Sequence, residues 1–105
     1  MLDHYVVFQP HRGREEDLSA ALRDFAADIT ALTCIKDFSW GENTNASGLK
    51  HGYTHGCFAR LTGEAALLGE YWNHPAHQKL LGRLDELCID RFALDYPVSV
   101  AADER

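Results

Sequence analysis

Alternate residues of a β-strand point to opposite faces of its sheet, and the strand-like segments of this chain are apolar on both. In "HYVVFQP" (His4–Pro10), His4, Val6 and Phe8 share one face and Tyr5 and Val7 the other. In "CIKDFSWGEN" (Cys34–Asn43), Ile35 opposes Phe38 and Trp40. In "YTHGCFARL" (Tyr53–Leu61), His55, Cys57, Ala59 and Leu61 oppose Phe58, and in "IDRFALDYPV" (Ile89–Val98), Phe92, Leu94 and Tyr96 oppose Ala93. Helices packed on one side can cover only one face of such a sheet. The face expected to remain carries Val7, Phe38, Trp40 and Phe58, which is too apolar a patch to leave in water. Its expected cover is a second copy of the chain in a two-fold homodimer; the alternative is a monomer with a few exposed aromatics.

The segments between the strands read as helices. After "HRGREED", with Glu15, Glu16 and Asp17 complementing a helix dipole in the first turn, Leu18, Leu22, Phe25, Ile29 and Leu32 recur at helical spacing. "NTNASGLKHG" (Asn43–Gly52) is a polar loop that joins the second and third strands as a hairpin. Thr62 is placed to cap a short helix through "GEAALLGEYW", and Pro75 breaks it. Proline disfavours helix in the residue before it and suits the first helical position itself. His74 is therefore the expected N-cap of a new helix, with His77 in its first turn and Leu80, Leu81, Leu84, Leu87 and Cys88 as its apolar stripe. The order β-α-β-β-α-β, its second helix broken at His74, specifies an α+β, ferredoxin-like fold with a four-stranded antiparallel sheet. Residues 3–98 make a single domain and residues 99–105 a polar tail.

Composition narrows the function classes. A net charge of −6 argues against nucleic acid or an anionic membrane as partner, because both require a basic face. No segment approaches the length of a membrane span, and "MLDHYVVFQP" lacks the basic and long apolar regions of a signal peptide. Cys34, Cys57 and Cys88 are odd in number and form no C-x-x-C pair, so they read as reduced, mostly buried thiols of a cytoplasmic protein.

Chemistry is concentrated in "YWNHPAHQKL" (Tyr71–Leu80). His77 lies in phase with Leu80, Leu81, Leu84 and Cys88, so it points with the apolar stripe towards the sheet. His4 and His55 share strand faces with Val6, Phe8, Cys57 and Leu61, and Tyr71 stands one helical turn before the break. If that sheet face meets the helices, His77, His4, His55 and Tyr71 share one pocket. A histidine in the first turn of a helix with apolar walls is held neutral, as a general base must be, and a tyrosine hydroxyl can donate to a carbonyl oxygen as charge develops on it. The competing readings are core histidines that only satisfy hydrogen bonds, and a metal site at His74 and His77. The N-cap role should turn His74 away from the stripe, so no metal site is expected. His11 and His51 belong to solvated loops.

"HYVVFQ" near the start, "GYTHGCFARL" as the third strand, "YWNHPAHQ" at the helix break and "ALDYPV" at the end together resemble the stress-responsive A/B barrel family, the dimeric α/β barrel (Dabb) proteins, from about His4 to Val98. The resemblance implies a homodimer whose two sheets form a barrel-like core. One member of known reaction, olivetolic acid cyclase, is a polyketide cyclase that performs an aldol condensation without a cofactor. By motif, the resemblance implies His77 as base, Tyr71 as its catalytic partner, and His4 and His55 as substrate-binding groups. Two functions are compatible with these residues: a cofactor-independent enzyme moving protons on a small carbonyl-bearing molecule, or a non-catalytic, stress-protective protein that binds a small organic molecule.

Overall fold

The computed structural model describes residues 1–98, and the polar tail at 99–105 lies outside the described residues. Eight segments follow one another: β1 (Leu2–Pro10), α1 (Glu15–Ile29), β2 (Ile35–Glu42), β3 (His55–Leu61), α2 (Glu64–Ala66), a π-helical turn (Leu67–Tyr71), α3 (Pro75–Leu87) and β4 (Cys88–Pro97). The strands form one antiparallel sheet in the order β2-β3-β1-β4. This is the ferredoxin-like arrangement expected from the element order. The β2–β3 hairpin carries the polar loop at its tip, where Gly48 and Gly52 adopt positive φ.

The helices lie on one side of the sheet. Leu18, Ala21, Leu22, Phe25 and Ile29 of α1 and Ala76, Leu80, Leu84 and Leu87 of α3 are buried with Phe8, Cys57, Ala59 and Leu61 of the strands. The apolar spacing of both helices thus buries the stripe it specifies. Leu32 lies beyond the end of α1, and Cys88 is already the first residue of β4. The short helix is capped at Gly63 with no side-chain hydrogen bond, rather than by Thr62. All three cysteines are buried free thiols. Among the described residues no helix is long and apolar enough to cross a membrane.

The composition of the outer face differs from expectation, and a β-bulge is the reason. Ile35 pairs with Leu61, but Asp37 pairs with Arg60, so β2 has one residue more than β3 between them. A bulge resets the alternation of sides. Ile35 and Phe38 consequently lie on the same, inner side, where Phe38 packs edge-on against Phe25, their ring centroids 5.5 Å apart. Trp40 follows, under the Arg23 guanidinium of α1 at 5.9 Å. Phe38 and Trp40 are therefore partly buried core residues. The outer face is built instead from Tyr5, Val7 and Phe58 together with their β4 neighbours. Val7 pairs with Phe92 and Tyr5 with Leu94, so Phe92, Leu94 and Tyr96 all point outward. These three are 58%, 50% and 42% exposed, and Tyr5 stacks between Phe58 and Tyr96. The sheet is two-sided, as the sequence implies, but β4 rather than β2 supplies much of the outer apolar surface.

Candidate active site

The break at Pro75 organises the site. In an unbroken helix the Trp72 carbonyl would accept from the amide of residue 76. Here that amide donates to Nδ1 of His74, the N-cap, at 3.0 Å, as its position before proline predicts. The Trp72 carbonyl is freed and accepts from His77 Nδ1 at 3.0 Å and from Gln78 Nε2 at 2.6 Å. A carbonyl can only accept, so Nδ1 of His77 carries the proton and Nε2 of the neutral ring presents its lone pair. Nε2 has no partner among the described residues, yet it is not sealed off as a buried unsatisfied atom. It therefore opens on the cavity that His77 lines. Burial lowers the His77 pKa from its ordinary 6.5; the Trp72 hydrogen bond opposes this, and the neighbouring His4, Arg91 and His74 charges reinforce it.

One turn earlier the chain is wound as a π-helix, with the Trp72 amide reaching back to the Leu67 carbonyl. Such turns act as one-residue insertions that re-aim side chains and recur at functional sites. This one carries Tyr71, 1% exposed, with its ring centroid 4.9 Å from that of His77 and 5.7 Å from that of His4. Burial pushes the Tyr71 pKa well above 10, with the Cys57 and Asp95 charges adding to it, so the phenol stays protonated. Its hydroxyl has no protein partner among the described residues, and Tyr71 lines the cavity.

The cavity encloses about 300 Å³ between the sheet and the α2–α3 layer, and its wall includes His4, Tyr71, Trp72, His77, Arg91 and Asp95 among mainly apolar residues. His4 on β1 faces Asp95 on β4 across the pair, with its Nδ1 hydrogen-bonded to the Asp95 carboxylate. Three of the four residues singled out from the sequence, His77, Tyr71 and His4, are thus brought together.

His55 is not. It points to the same side of the sheet but lies under α1, where its ring nitrogens bond to Ser19 Oγ at 2.8 Å and Thr54 Oγ1 at 2.7 Å. It pairs with Phe8, four residues along β1 from His4, and is 2% exposed. Burial lowers its pKa, partly opposed by the Glu42 and Glu15 charges. The expectation that His55 contacts a ligand in the shared pocket is corrected: two helices divide the space above the sheet, and His55 belongs to the α1 half. It fits the reading of a satisfied core histidine.

Asp95 and Arg91 were missed. The signal was present in "DRFALDY", where the three large apolar residues alternate with Arg91, Ala93 and Asp95. Once the apolar set faces outward, the polar set must face the helices. Among the described residues, no three His, Cys, Asp or Glu side chains gather as a ligand set for a metal ion. Chemically, the arrangement offers a neutral imidazole with a free lone pair beside a phenol that remains a hydrogen-bond donor, in mostly apolar walls that strengthen both interactions.

The family and the fold are shared with known proteins. Over 91 residues the chain is 30% identical to the stress-response A/B barrel domain-containing protein HS1 of Arabidopsis thaliana, covering 82% of this chain and 79% of that protein. Its fold superposes on a dimeric ferredoxin-like protein of unknown function from Jannaschia sp. CCS1 with a TM-score of 0.82 at 25% identity, covering 92% of this chain and 98% of that one. A hydroxynitrile lyase from Passiflora edulis shares the fold at a TM-score of 0.79 and 15% identity, with 93% of each chain covered. A sequence model of the stress responsive A/B barrel domain matches residues 2–98, and the chain belongs to that family.

Proposed function

We propose that this protein is a cofactor-independent homodimeric enzyme, with one pocket per protomer, that catalyses proton transfer on a small carbonyl-bearing molecule. The observation that carries the reading is the His77 ring, its Nε2 without a partner among the described residues, beside the buried Tyr71 ring in a cavity of about 300 Å³. In this reaction His77 Nε2 takes a proton from the carbon next to the carbonyl. The electron pair of that C–H bond moves to the carbonyl oxygen, which Tyr71 stabilises as an enolate by donating a hydrogen bond. The enolate carbon then attacks a second carbonyl of the same molecule, as in an aldol cyclisation, and the oxygen of that carbonyl takes the proton back from His77; without a second carbonyl, the enolate carbon itself recovers the proton from His77. His4, held by Asp95, orients the substrate. The three free, buried cysteines suit a cytoplasmic setting. A lyase on the same fold supports its capacity for such chemistry without assigning the substrate.

The test is deuterium exchange. Small ketones and 1,3-diketones are incubated with the protein in D₂O, and loss of the α-proton signal is followed by NMR. Exchange faster with the wild type than with His77→Ala, at equal binding, is the expected result. Binding of these compounds with no accelerated exchange would overturn catalysis in favour of a non-catalytic binding protein.

A further inference from the structure

The two ends of the cavity differ in charge. Asp95 pairs with His4 and Arg91 pairs with Phe8, four residues apart on the same two strands. At about 3.3 Å per residue the backbone positions of Asp95 and Arg91 stand roughly 13 Å apart along the sheet, a separation that the long Arg91 side chain can shorten. Tyr71 and His77 gather at the His4 end, and Val6 and Ala93 form an apolar floor between the two. The charge at the Asp95 end is already met by His4. Among the described residues Arg91, the Lys or Arg of the cavity lining, is met only from outside: its Nη1 donates to Asp85 at 3.1 Å, and that carboxylate side chain is 71% exposed. A guanidinium has five N–H donors in a planar fork, and an exposed ion pair is weak and readily exchanged. Arg91 is itself about a third exposed, with a relative side-chain accessibility of 36%, and most of its fork remains available to a ligand.

We propose that Arg91 anchors a carboxylate of the ligand, so that the pocket accepts an elongated keto acid. The carbonyl lies at the Tyr71–His77 end, the chain lies along Val6 and Ala93, and the acid group meets Arg91. The placement of the carbonyl rests on the functional reading above; the anchor adds the charge and the length of the substrate. A carboxylate matches the guanidinium fork in two parallel hydrogen bonds. With one Lys or Arg among the lining residues of the cavity, in a chain of net charge −6, a monoanion is favoured over a dianionic phosphate.

The experiment is calorimetric titration of 5-oxohexanoate, 7-oxooctanoate and 9-oxodecanoate, each beside its primary amide, into the wild type, Arg91→Gln, Arg91→Lys and His77→Ala. At least one acid should bind roughly 10-fold or more tightly than its amide, the difference expected for a charge-assisted hydrogen bond over a neutral one. Arg91→Gln should abolish that preference, Arg91→Lys should keep part of it, and His77→Ala should leave it intact, because anchoring does not use the base. Equal binding of acids and amides, a preference that survives Arg91→Gln, or one that His77→Ala removes overturns the anchor while leaving the catalytic reading standing. Failure of every acid and amide to bind at millimolar concentration overturns both.

Discussion

At the scale of single residues, a freed carbonyl fixes the properties of His77. The Trp72 carbonyl holds the proton on Nδ1, and burial holds the ring neutral. His77→Ala should therefore abolish proton transfer while the protein remains folded and keeps its oligomeric state. Tyr71→Phe should reduce turnover by roughly 10²–10³-fold if its hydroxyl is the main donor to the developing oxyanion; a smaller effect in steady-state assays would assign that role elsewhere. The pH profile has a definite sign. The base must be neutral and its pKa is lowered from 6.5, so kcat/KM should be flat through neutrality and fall only as pH drops through a value below 6.5. The raised Tyr71 pKa means no alkaline loss from that group up to pH 10. An acid limb centred above 6.5 would exclude His77 as the base. His55 carries a different expectation. Its hydrogen bond to Ser19 ties α1 to β3, and its bond to the adjacent Thr54 fixes the ring, so His55→Ala should lower stability by about 2 kcal/mol or more in denaturant unfolding, with ligand affinity of the folded protein little changed.

At the scale of elements, Pro75 sets both the direction of α3 and the availability of the Trp72 carbonyl. Pro75→Ala restores an amide at the break and allows α3 to run on from the preceding turn. Stability should change by under about 1 kcal/mol, as expected at a first-turn position. Ligand affinity should drop clearly in titration, and unchanged affinity would mean the break does not aim His77. This break was legible from a single proline and the helical phase of the leucines after it. The π-helical turn at Leu67–Tyr71 was not. It is one extra residue wound into a helix, and no residue type in "LLGEY" requires it; packing of Tyr71 against Phe25, His4 and His77 selects it. The bulge at Ile35–Asp37 escaped for the same reason. A pattern with a period of two says which residues share a side only while the count on the two strands stays equal.

At the scale of the whole molecule, the outer sheet face awaits a cover. Phe92 and Leu94 are at least half exposed in one protomer, beside Tyr5, Phe58 and Tyr96. A homodimer closing over this face should appear in light scattering at micromolar concentration as about twice the 11.8 kDa chain mass. Leu94→Asp should shift the population to monomer, because it would bury an unpaired charge in the interface. Phe38→Asp and Trp40→Asp should instead destabilise the protomer itself, since both side chains pack against α1. A wild-type protein that scatters as a clean monomer would remove the dimer from the proposal.

The sequence by itself determined the strands and the main helices, their order, the two-sided sheet, the helix break and the inward aim of His77. Each of these follows from local rules: the period of apolar residues, the missing amide of proline, and the capacity of a helix stripe to bury one side. Only the tertiary structure decided which residues meet. His4, Tyr71 and His77 converge because β1 and β4 lie under the broken helix, whereas His55, on the same side of the sheet, falls to α1. Asp95 and Arg91 enter the cavity because the register of β4 turns Phe92, Leu94 and Tyr96 outward. Strand register is a long-range property: one inserted residue exchanges the two faces, and no local pattern records on which strand that residue will be spent.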